Sequence, residues 1–176
     1  EASQYVYLEG YLVTSPSARA AAIKARQIAE RKGVKTALTF SDPNMVKFFR
    51  DGLQDMAGDG VDLLFCNHQE ALFWAETDSI EEAAERLKAT AKTFAITLGS
   101  EGALLFDGQN LIKVPATPVK AVDTNGAGDM FAGAFLYGLT HGYDFARAGA
   151  LATKAAAKLV TQFGPRLKPE EHKPLL

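Results

Sequence analysis

The chain has 176 residues, 47% apolar and 23% charged, with a formal net charge of −2 and a single cysteine. That length carries one domain, 1–176, with a core of its own, and no basic block is present to form an extended nucleic-acid surface. Cys66 alone excludes an intrachain disulfide and sets the expectation of a reducing, cytoplasmic compartment. No apolar run approaches the roughly 18 residues of a membrane span. His68, His141 and His172 are scattered and lack cysteine partners, so a zinc site is not expected.

Short β-rich runs alternate with longer helical patterns. A strand over 5–8 opens the series, and Ser15-Pro16 then starts a helix over 17–32 as N-cap and first helical residue, with Gly33 ending it. A strand over 36–40 follows. Asp42-Pro43-Asn44 reads as turn chemistry leading into a helix over 44–56. The buried-looking strand at 63–66 runs into Asn67-His68-Gln69-Glu70 and a helix over 67–75, where Asn67 and Glu70 have the spacing of a capping box. A helix over 79–91 and strands at 94–98, 103–106 and 111–114 come next, the last two joined by an Asp107-Gly108 turn. Helices over 128–141 and 145–162 complete the body, and the polar tail from Pro165 is expected to fray. The alternation implies an α/β fold, a mostly parallel sheet with helices on both faces. The alanines at 148, 150, 152, 155, 156 and 157 read as close helix packing rather than an adenine pocket.

Asp123-Thr124-Asn125-Gly126-Ala127-Gly128-Asp129 is the most informative segment. A glycine-rich turn feeding directly into a helix leaves backbone N–H groups at the positive end of the helix dipole, which suits an anion. Asp129 adds a carboxylate that can take a proton from an attacking hydroxyl. An acidic residue in a first helical turn also has a purely structural use, as a partner for the dipole. Neither Gly-x4-Gly-Lys-Ser/Thr nor Gly-x-Gly-x-x-Gly occurs, which disfavours an ordinary NTPase loop or a dinucleotide site.

The heptad, continued by Met130-Phe131-Ala132-Gly133-Ala134-Phe135, resembles the second signature of the ribokinase-like (PfkB) family of carbohydrate and nucleoside kinases. The resemblance implies a three-layer ribokinase-like fold and ATP-dependent phosphoryl transfer to a primary hydroxyl. Asp129 would be the base, and the amides of Gly126, Ala127 and Gly128 an anion hole. Asn67 would face the nucleotide phosphates and Glu70 would organise Mg²⁺ through water, a role that requires Glu70 to point away from Asn67. Thr97, Gly99 and Gly102 would line the phosphate and ribose side of the nucleotide. Asp123 and Asn125 would flank a monovalent cation, with K⁺ as the candidate, completed by the loop at Phe163-Gly164-Pro165, although a helix-ending glycine is the better reading of Gly164.

The run Leu8-Glu9-Gly10-Tyr11-Leu12-Val13-Thr14, with asparagine in the heptad, looks most like the adenosine kinase branch. A sugar acceptor, as in ribokinase or fructokinase, stays open, as does a homodimer. Glu1 is not methionine and a strand is already under way at Tyr5, so the chain is expected to be the C-terminal half of such a kinase, without the lid. A non-catalytic nucleotide-binding fragment is the alternative of a different class.

Overall fold

In the computed structural model, which describes residues 2–175, the expected alternation is realised as six strands and seven α-helices among the described residues. The chain divides into two units. The first runs to Ile96 and takes in Phe106–Gly108; the second comprises Thr97–Leu105 and the chain from Gln109 onward.

In the first unit, β1 (Tyr5–Glu9) leads through a short 3-10 turn into α1 (Pro16–Arg31), then β2 (Lys35–Thr39), α2 (Pro43–Ala57), β3 (Val61–Asn67), α3 (His68–Ala75), α4 (Ile80–Leu87) and β4 (Ala91–Thr97). The strands lie side by side in chain order. β1 and β2 are parallel, pairing Tyr5 with Lys35 through Glu9 with Thr39, and β2 and β3 are parallel from Ala37 opposite Leu63. Successive strand residues point to opposite faces, yet Ala37-Leu38, Leu63-Leu64 and Phe94-Ala95-Ile96 are all buried. The strands are therefore covered on both faces, as a parallel sheet requires.

The second unit holds β5 (Ala103–Phe106), β6 (Leu111–Val114), α5 (Ala127–Thr140), α6 (Phe145–Leu159) and a short α7 (Pro169–His172). β5 and β6 are neighbours joined by residues 107–110, with Gly108 at φ 99°, as the Asp-Gly turn anticipates. α5 and α6 pack closely: a Cβ on Gly138 would lie 3.0 Å from the Ala148 methyl.

Three local expectations change. The helix expected to reach residue 91 stops at Leu87, and β4 already begins at Ala91. The cause is long-range: the Trp74 indole N–H donates to Thr90 Oγ1 at 2.9 Å, and Thr90 O accepts from Val61 N–H at 3.1 Å, which turns Thr90 toward the strands. α6 ends at Leu159 rather than 162. The described part of the tail, expected to fray, is packed against α6. Leu167 is buried, Lys154 Nζ donates to Pro174 O at 3.2 Å, and Lys158 pairs with Glu171 at 3.2 Å.

One carboxylate ties the middle strands of the first unit together. Asp62 Oδ2 accepts from the N–H of Thr36 at 2.8 Å and from its hydroxyl at 3.1 Å, while Oδ1 accepts from Lys92 Nζ at 2.8 Å. Partial burial raises the Asp62 carboxyl, but the hydrogen bonds from Lys92 and Thr36 outweigh it and hold the group below its ordinary value of 3.8. The resulting stabilisation is complete above 3.8 and disappears as the pH falls through the lower folded value. Asp62→Ala leaves the Thr36 N–H without its acceptor and is expected to cost about 1–3 kcal/mol near neutral pH. Urea unfolding at neutral pH and again well below 3.8 checks this; the gap to the unaltered chain should narrow in acid.

Candidate active site

The glycine-rich turn is shaped by contacts that only glycine permits. Gly126 is the N-cap of α5 with φ 77° and ψ 3°, the left-handed region. A Cβ there would fall 2.6 Å from Pro165 O and 2.8 Å from Pro165 Cα, so the turn and the segment after α6 touch backbone to backbone. Met130 N–H donates to Gly126 O at 2.9 Å and starts the helical ladder. Ala127 N–H closes the turn on Thr124 O at 3.2 Å. Of the three amides expected to form an anion hole, Ala127's is thus already engaged. The N–H groups of Gly126, Gly128 and Asp129 have no acceptor among the described residues.

Asp123 is drawn into the same turn. Its Oδ1 accepts from Asn125 N–H at 2.9 Å and its Oδ2 from Gly164 N–H at 3.0 Å. These two backbone donors, Asn125 first, hold the carboxyl below the usual aspartate range.

Two cavities flank the start of α5, both within the second unit. One, of about 460 Å³, is lined by Thr97, Gly99 and Gly102 together with Ala127, Gly128 and Thr124. Gly102, at φ 98°, is packed so tightly that a Cβ would lie 2.0 Å from Val114 O, which fixes this wall. Phe131 and Thr153 add to the lining, and so do Ala156 and Ala157. The alanine row therefore divides: Ala148 and Ala152 are fully buried, whereas Ala156 and Ala157 also line this cavity. The other cavity, of about 640 Å³, is lined by Asp129, Met130, Gly133 and Tyr137 of α5, with Pro165, Arg166 and His172 opposite. Gly128 and Asp129 are consecutive, so they stand about 100° apart around the helix axis. One faces each cavity.

The remaining expected site residues, Asn67 and Glu70, belong to the first unit. They form the capping box. Asn67 Oδ1 accepts from Glu70 N–H at 2.9 Å, Glu70 Oε2 accepts from Asn67 N–H at 2.9 Å, and Glu70 Oε1 accepts from the Asn67 amide at 2.7 Å. Glu70 thus points at Asn67, the orientation that competes with an outward ligand role. It is 3% exposed, and burial pushes its carboxyl up to about 7, opposed by the Asn67 N–H and assisted by the nearby charge of Asp42. Among the described residues no group of three or more His, Cys, Asp or Glu side chains is placed to hold a metal ion. A magnesium ion needs fewer, since one carboxylate with phosphate oxygens and waters suffices, and each Glu70 oxygen keeps a lone pair beyond its bond to Asn67.

Comparison with known proteins gives this geometry its context. The chain is 31% identical to the adenosine kinase of Schizophyllum commune over 188 residues, covering 96% of this chain and 54% of that one. Among solved structures, it matches adenosine kinase from Sinorhizobium meliloti at 36% identity and a TM-score of 0.93, covering 98% of this chain and 54% of that one. A putative ribokinase II from E. coli, solved in complex with ATP and Mg²⁺, matches at 25% identity and a TM-score of 0.86, covering 98% of this chain and 58% of that one. The chain spans about half the length, or less, of the curated relatives it matches. The fold is ribokinase-like. Residues 1–172 match the pfkB family carbohydrate kinase model, and the chain belongs to that family.

Proposed function

We propose that the chain is the nucleotide-binding and catalytic portion of one ribokinase-like domain, in a kinase that transfers the γ-phosphoryl group of ATP to a primary hydroxyl. The observation that carries this reading is the divided first turn of α5. Unpartnered N–H groups meet one cavity at Gly128, and a carboxylate meets the other at Asp129. A phosphoryl donor and its acceptor need such an arrangement, with anion donors and a base on either side of one short segment.

Asp129 takes the proton of the acceptor hydroxyl as its oxygen attacks phosphorus. The N–H groups of Gly126, Gly128 and Asp129, already oriented by the helix start, stabilise the charge that develops on the transferring group, each worth about 3 kcal/mol in a water-poor site. Thr97, Gly99 and Gly102 line the nucleotide side. ATP with Mg²⁺ would supply the phosphoryl group and the neutralising charge; the ATP and Mg²⁺ complex of the E. coli relative supports this pair. Asn67 would face the phosphates, and Glu70 would reach the metal through water using its remaining lone pairs.

For the acceptor, the similarity to adenosine kinases favours a nucleoside, and the similarity to a putative ribokinase keeps a sugar as the second reading. A cytoplasmic protein acting on small molecules fits both; no helix among the described residues is long and apolar enough to cross a membrane.

Asp129→Asn is expected to lower kcat about 10²–10⁴-fold with the KM for ATP nearly unchanged, measured by ATP-dependent product formation. Near-normal turnover would remove Asp129 from the role of base. Gly126→Ala is expected to act differently: the clash with Pro165 and the left-handed backbone should weaken nucleotide binding itself, seen by calorimetry with ATP. Adenosine, ribose and fructose competing for the same ATP turnover decide the acceptor, adenosine being expected to win.

A further inference from the structure

The face of α6 that lines the 460 Å³ cavity is made by Thr153, Ala156, Ala157 and Val160, the i, i+3, i+4, i+7 spacing of a single helical stripe. Val160 is its end beside the glycine-rich turn, since its carbonyl accepts from the N–H groups of Val122 and Asp123 at 2.7 and 3.3 Å. Thr153 stands seven positions earlier, about 10 Å along the helix at 1.5 Å per residue. A nucleotide whose phosphates meet the Gly128 N–H therefore carries its base toward Thr153. The stripe is apolar apart from one side-chain atom, Thr153 Oγ1, in a residue only 7% exposed.

That hydroxyl has a single hydrogen, and it is already given away. Thr153 Oγ1 donates to Ala150 O at 3.1 Å, which leaves only lone pairs for any further partner. Turning the hydrogen into the cavity would set the two oxygens face to face at 3.1 Å with no proton between them. The atom thus receives an N–H and opposes a carbonyl oxygen. We infer that Thr153 is a specificity-determining residue for the phosphoryl donor, favouring a purine with an amino group at its 6-position over one with an oxygen there. The inference rests on the kinase reading above and adds to it the edge by which the base is read.

The test compares three triphosphates by calorimetry: ATP, ITP and purine riboside triphosphate, which carry an amino group, an oxygen and a hydrogen at the 6-position. The unaltered chain is expected to bind ATP with a Kd about tenfold below the other two. Thr153→Val keeps the shape and removes the acceptor, and should narrow the differences to within about twofold, whereas Thr153→Ser should keep them. A purely structural role for Thr153 would move the three affinities together and leave their ratios intact. Equal binding of the three nucleotides by the unaltered chain, or an ATP preference that survives Thr153→Val, would overturn the inference while the kinase reading stands. The first of these outcomes needs no variant to fold. Failure of the unaltered chain to bind any of the three would remove the kinase reading, and the inference with it.

Discussion

Everything at the candidate site depends on one backbone contact, the approach of Gly126 to Pro165. A side chain cannot stand between them, and the left-handed angle that brings them together also turns the following N–H groups outward. The aspartate four residues before the start of α5 and the glycine after α6 then have to meet, since their segments are already in contact. The exposed donors and the Asp123–Gly164 bond both accompany that close approach.

α5 converts that turn into a partition. Because the helix rotates by about 100° per residue, neighbouring positions necessarily face different surroundings. Gly128, without a side chain, leaves room in the first cavity, and Asp129 brings a carboxylate to the other. Exchanging the two residue types would fill the first cavity and strip the second of its carboxylate. The order Gly-Asp carries the proposed chemistry as much as the composition does.

The sequence made the local part of this legible. The glycine turn, the helix behind it and the Asn67–Glu70 box each lie within a few residues, where spacing translates directly into geometry. What stayed hidden was set from a distance. The early end of α4 needs Trp74 to reach Thr90 and Val61 to pair with it. The docked tail needs Lys154 and Lys158 from another helix. Ala156 and Ala157 could not be told from their buried neighbours by pattern, because a row of alanines has the same signature against a helix and against a cavity. The fate of each amide was equally out of reach, since nothing in the heptad says that Ala127 will bond to Thr124 while Gly128 will not.

The pairing of Gly138 with Ala148 reaches further than helix packing. Those residues sit at the far end of α5 and the near end of α6, well away from the cavity that Ala156 and Ala157 line. The close approach at this end helps set how far apart the two helices run. The missing methyl at Gly138 thus contributes to the width of a pocket more than two helical turns distant along α6. Substitutions at that remote joint are a way to change the pocket's shape while leaving every residue that lines it in place.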